Sequence, residues 1–226
     1  MDRLTQSLFT ASAGQATDPL NPLDLTIGQS YGGGYFAGYI SHTANSVPTH
    51  ALIVAPRATG ETQAVMKTTD TATSGTQSRY DGAANTANMN NTAHPGAYFC
   101  ANLSTGGYSD WYMPAIDELD IAYQNLKPDS TANFTFYSPA NNYSVPARTS
   151  GYTSSVPGQT TVSAFQAGGS EAFTTSVSGT AVGTWSSTEG GSGTYGLYLY
   201  FADGSQSNIP KSGYSYMVRA FRKVAV

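Results

Sequence analysis

The stretch of this chain that most firmly dictates its own backbone is MPAIDELDIAYQNLKP, residues 113–128. Ile116, Leu119, Tyr123 and Leu126 recur at helical spacing and form one apolar stripe; Pro114 opens the helix and Pro128 comes after its end. Asp117 and Glu118 complement the positive end of the helix dipole, and Lys127 the negative end. Dipole complementation is favoured over a calcium cluster or an acid/base pair built from Asp117, Glu118 and Asp120. The rest of the chain must be assembled around this helix from shorter pieces.

Those pieces have distinct signatures. SRYDGAANTANM and HPGAYFCANL are helix-compatible, the second with Pro95 in its first turn. HALIVAPRATGETQAVMKT predicts a hairpin, His50 to Ala55 and Thr62 to Thr68 around RATGE. GTWSSTE, YGLYLYFADGSQSN and YSYMVRAFRKV read as strands, with Asp203-Gly204 as a hairpin turn. Between them, 129–182 is a long Ser, Thr, Gly and Asn-rich excursion with one helix-like insert; excursions of that size are unusual without a function. No repeat of fixed period is present.

The segment SYGGGYFAGYI, 30–40, fits G-x-G-x-x-A at Gly32, Gly34 and Ala37. A dinucleotide site also needs a preceding strand, a helix opening after the glycines and an acid about 20 residues on. Downstream lie Pro48 and a strand-like run instead, with no acid before Glu61. The segment therefore reads as a glycine-bearing strand that lets a neighbour approach closely.

Composition narrows the function. Only 11% of the 226 residues are charged, and the net charge is -4. Nucleic-acid binding through the phosphate backbone needs clustered Lys and Arg, which are absent. Cys100 is the single cysteine, so no intrachain disulfide forms; on an apolar run it reads as a buried thiol. His42, His50 and His94 are scattered and read as surface or loop residues, and no metal-binding spacing or G-x-S-x-G elbow occurs. No metal, cofactor or catalytic residue is expected. The first residues lack the apolar core of a secretory signal, and no run approaches membrane-spanning length, so a soluble chain is expected. Residues 1–29, with Pro19 and Pro22, read as an extended arm, docking or flexible, outside a domain at 30–226.

Tyrosines concentrate near the C-terminus. In YGLYLYF, alternation places Leu197, Leu199 and Phe201 on one face and Tyr198 and Tyr200 on the other. Tyr198 and Tyr200, joined by Tyr195 and Tyr214, are the expected binding face, since rigid amphipathic rings among Gly, Ser and Asn suit recognition. The alternative is that the rings simply pack on the sheet. If the face proves to be core, the 129–182 excursion is the next place to look.

GGYSDWYMPAIDEL, TWSSTE and FADGSQSNIPKSGYSYMVRAFRKV together resemble a domain of unknown function found in bacterial and phage proteins. That domain is related to the C-type lectin fold and to sulfatase-modifying factors. YGGGYFAGYI, ALIVAPRATGE and YDGAANTANM resemble its phage versions, in tail-fibre and virion-surface proteins. The resemblance implies an α+β, C-type lectin-like fold with a short antiparallel sheet, two to three helices and long loops. Trp111 and Trp185 should be buried anchors. The copper chemistry of the sulfatase-modifying enzymes needs a cysteine pair, and only Cys100 is present; calcium-dependent lectin motifs are also missing, WSSTE being the nearest segment.

The expectation is a phage virion-surface protein, in the tail fibre or tail tip and made in the bacterial cytoplasm. It binds a host glycan or outer-membrane protein and is not an enzyme. The arm fastens it to other virion proteins in a homo-oligomer, a trimer being one form, with neither nucleic-acid binding nor membrane insertion. The alternative is a capsid-decorating or tail-assembly protein with no receptor-binding role.

Overall fold

The structure, a computed structural model, describes residues 20–226. Most of the expected arm, residues 1–19, lies outside the described residues. Residues 22–29 pack onto the body: Leu25 is buried, the Tyr39 hydroxyl donates to the Pro22 carbonyl at 2.9 Å, and the Gly28 N–H donates to the Phe36 carbonyl at 2.8 Å.

The architecture is α+β. One sheet runs in the order β1 (Ser30–Tyr31), β2 (Gly34–Ile40), β3 (His50–Val54), β12 (Phe221–Ala225), with β5 (Ser144–Val145) also on β2. A second runs β10 (Gln206–Pro210), β9 (Tyr195–Leu199), β8 (Thr184–Glu189), β11 (Tyr216–Arg219), β4 (Glu61–Ala64). Pairing is antiparallel except where β8 meets β11. A small ribbon joins β6 (Ser176–Val177) to β7 (Thr180–Ala181). The helices are α1 (Arg57–Gly60), α2 (Gly82–Met89), α3 (Pro95–Ala101) and α4 (Ile116–Leu126), with a 3₁₀ turn at Ser163–Phe165.

The glycine run forms a hairpin. Gly32 and Gly33 hold φ of 55° and 82°, conformations that side-chain-bearing residues resist, and join β1 to β2. At Gly38 α4 comes so close that an added Cβ would meet Asn125 and Ile121. The close approach expected of this strand is therefore present.

The expected hairpin at 50–68 does not form. β3 pairs with β12 and β4 with β11, in different sheets, because residues 50–64 run antiparallel to residues 216–225 as one long ribbon. The ribbon changes sheets at α1 on one strand and Ala220 on the other. Arg219, fully buried, locks this crossing: Nε donates to the Ala55 carbonyl at 2.8 Å, and the guanidinium bridges Glu61 and Glu171 at 3.3 and 3.0 Å. A local glycine signal is outweighed here by pairing with a segment more than 150 residues away.

Burial fills both sides of the sheets. Phe36, Ile53, Trp111, Trp185, Tyr198 and Val218 share one apolar cluster; Ile40, Leu52, Leu119, Tyr123, Leu199, Phe201 and Phe221 share the other. Trp111 and Trp185 are both buried, as expected. So is the α4 stripe, but the helix is not amphipathic in its setting: Asp117, Glu118 and Asp120 are buried too. The 129–182 excursion covers Asp120 and contributes Phe165 and Phe173 to the second cluster, Phe173 stacking on Phe201 at 3.7 Å.

Candidate functional site

The alternation expected in β9 is present, but its consequence differs. Leu197, Leu199 and Phe201 face α4, while Tyr198 and Tyr200 face the other cluster. That second face is not open. Tyr198 is only 7% exposed and meets Trp185, Tyr200 and Tyr216 edge-on at ring separations of 6.0, 5.2 and 4.9 Å. Tyr200 is half-buried and its hydroxyl lies 3.3 Å from that of Tyr216. The expectation that Tyr198 is displayed is corrected: Trp185, Tyr200 and Tyr216 enclose it, so the ring is core.

Tyr195 and Tyr214 are exposed, yet they do not extend one tyrosine face. Tyr195 shares the parity of Leu197, so it belongs to the leucine side of the strand; its cross-strand partner is Pro210. Tyr214, in the turn before β11, packs on Tyr216 at 5.8 Å. The four tyrosines are thus divided between two sides of the sheet.

The exposed aromatics that do cluster lie on the excursion. Phe134 and Tyr137 stack at 5.6 Å and 22°, Phe136 lies 6.3 Å from Phe134, and the Phe136 ring is 87% exposed. Burying a phenylalanine side chain stabilises a fold by about 1.5–3 kcal/mol, so a ring held in solvent needs a reason. This loop is also pinned. Phe134 N–H donates to the Asp203 carbonyl at 2.8 Å, and Gln206 N–H in β10 donates to the Tyr137 carbonyl at 2.8 Å. Asn133, before it, accepts from the Tyr123 hydroxyl and the Lys127 ammonium, and donates to the carbonyls of Thr153 and Pro157. Lys127, expected to complement the helix dipole, sits at the C-cap of α4 and also donates into this anchor.

Beside the rings runs a groove of about 420 Å³, lined by Phe136, Tyr137, Arg79, Asn208, Leu197 and the bare backbone of Gly190 and Gly191. Gly190 N–H donates to the Tyr195 carbonyl, which places Tyr195 next to one end. An aromatic shelf, exposed polar groups on an edge strand and an open backbone make this groove the candidate site. A second cavity, about 380 Å³, lies between α4 and residues 144–157, but its Arg148 is held by Asp120.

The acids of α4 are structural. The two Asp120 oxygens accept from Arg148 Nη2 at 2.9 and 3.0 Å, and the carboxylate also accepts from Asn141 and Gln124 at 2.8 Å, from Gln206 at 3.0 Å and from the Tyr152 hydroxyl. Glu118 accepts from Ala115 N–H at 2.7 Å, Gly82 N–H at 3.2 Å and the Tyr112 hydroxyl at 2.8 Å. Burial raises its pKa to about 7, against the lowering effect of those bonds. Burial likewise raises Asp117 to about 6 in spite of Arg79, 2.8 Å away. Asp117 and Glu118 lie in the first turn of α4, as the dipole reading has them, and Glu118 and Asp120 also fasten α2 and the excursion to the helix.

The histidine reading changes as well. His94 is buried, bonded to Thr73 and Asn91 at 2.9 Å each, and burial lowers its pKa to about 4. His42 and His50 are half-buried, their rings 4.6 Å apart and tilted by 38°. Cys100 is buried, which pushes its thiol pKa up. Among the described residues no three His, Cys, Asp or Glu side chains are grouped to hold a metal ion, and no helix is long and apolar enough to cross a membrane.

Comparisons with protein-family models, curated proteins and solved structures return no match.

Proposed function

We propose that this chain is a C-type lectin-like recognition domain on a phage virion surface, in a tail fibre or tail tip, that binds a host-cell receptor without catalysis. The observation that carries the reading is the Phe136 ring, 87% exposed on a hydrogen-bonded loop beside a polar groove. Aromatic anchors on a rigid support lose little conformational entropy on binding and dominate recognition energies. The resemblance of the GGYSDW, TWSSTE and VRAFR segments supports the virion setting and the lectin-like fold.

The groove replaces the tyrosine face as the proposed contact, with Tyr195 at its end. The reading assigns the N-terminal arm to docking on other virion proteins and the assembled form to a homo-oligomer. A second reading, capsid decoration or tail assembly, is favoured by Leu20 and Leu23, which are 42% and 50% exposed at the arm side.

Immunogold labelling of intact particles with antibody against this chain tests the choice. Label at fibre tips is the expected result; label spread over the capsid lattice would establish the second reading instead.

A further inference from the structure

Resting on the recognition reading, we infer that the groove beside Phe136 takes an uncharged saccharide, bound without a metal ion. Three features of the groove carry this. The first is the shelf. Aromatic ring faces are negative, and the C–H bonds on the apolar face of a pyranose are weakly positive, so sugar and ring stack. Phe136 and Tyr137, 87% and 61% exposed, offer such faces on a pinned loop.

The second is the hydrogen-bonding set. Asn208 is exposed on β10, shares the strand face of Leu197, and its amide has no partner among the described residues. A side-chain amide pairs a donor with an acceptor, which suits neighbouring hydroxyls. Around Gly191 an added Cβ would meet nothing within 4 Å, so a ligand reaches the backbone there. An apolar protein side chain in the groove would leave these polar groups unpaired, a penalty for a hydrocarbon ligand and not for a polyhydroxylated one.

The third is charge. Arg79, the cation of the groove, is held by Asp117 at 2.8 Å. Arg57, Arg148, Arg222 and Lys223 likewise sit in ion pairs, with Glu61, Asp120, Asp110 and Asp81. With a net charge of -4, the chain offers an anionic ligand no uncompensated surface cation among the described residues. The groove lining also contains no carboxylate, so nothing there calls for a bridging calcium ion.

The test is saturation-transfer NMR and titration with neutral hexose and N-acetylhexosamine oligosaccharides, and in parallel with uronic and sialic acid oligosaccharides. Cell binding by the same protein is measured alongside. The expected result is transfer to ring C–H protons of a neutral oligosaccharide, unaffected by chelator and changed less than about twofold by raising sodium chloride to about 0.5 M. Phe136→Ala should weaken it at least about tenfold, with the melting temperature retained. Binding restricted to the acidic sugars, or binding lost in chelator, would overturn the inference. So would cell binding with no saccharide binding, which leaves the recognition reading standing. A protein that binds neither cells nor saccharides overturns both.

Discussion

Replacing Tyr198 by alanine should remove a substantial part of this protein's stability, although the sequence pattern made the residue look displayed. The ring is 7% exposed and edge-on to Trp185, Tyr200 and Tyr216. Truncating a buried aromatic to alanine costs about 3–5 kcal/mol. Each aromatic pair adds about 0.5–1.5 kcal/mol beyond area burial, which places Tyr198 toward the upper end. In a domain of this size a loss of 1 kcal/mol lowers Tm by about 2–4 °C. The expected drop is therefore about 6–20 °C, measured by circular dichroism or scanning calorimetry. Tyr214→Ala, at a ring 45% exposed, is the control and should stay within about 0.5 kcal/mol. A Tyr198→Ala protein that melts within about 2 °C of the parent would show that the ring is not core.

The buried charges lead to further outcomes. Asp120→Asn should destabilise by about 3–5 kcal/mol in denaturant titration, because Arg148 keeps its buried charge without its partner; an unchanged midpoint would contradict the buried Asp120–Arg148 pair. Glu118 has its pKa raised from 4.5 to about 7, so its contribution to stability is full below pH 4.5 and is lost as pH rises through about 7. His94, lowered from 6.5 to about 4, acts in the opposite sense: its contribution is full above pH 6.5 and is lost as pH falls toward 4. Glu118→Gln should therefore make Tm climb more steeply with pH across this range, and an identical Tm–pH profile would refute the assignment. Amine-reactive ester should label native Lys223 while sparing Lys211, whose side chains are 21% and 1% exposed, as read by peptide mass spectrometry. Equal labelling of the two would contradict the buried Lys211–Glu189 pair.

What the sequence conveyed was mainly local. The α4 stripe and the β9–β10 turn at Asp203-Gly204 are set by spacing and backbone preference within a few residues, so they were legible. The partner of residues 50–64 is distant, and Gly60 imitated a hairpin turn that the C-terminal ribbon overrides. Asp120 was grouped with the dipole acids on its helical spacing, which says nothing of what covers its side of the helix. That side is roofed by Asn141, Arg148 and Tyr152 from a segment with no period of its own. Tyr195 was grouped with Tyr198 although strand parity separates them. Phe134, Phe136 and Tyr137 left one signal, apolar rings inside an otherwise polar excursion, and their exposure is fixed by contacts with β10 and the 203 turn.

The most direct measurement of the central claim is binding of purified chain to host cells by two folded double variants. Phe136→Ala with Tyr137→Ala removes the excursion shelf, and Tyr195→Ala with Tyr214→Ala removes the exposed C-terminal rings. The groove account predicts a loss of at least about tenfold for the first pair and a clearly smaller effect for the second. Undiminished binding by the first pair, with the parent's melting temperature, would contradict it.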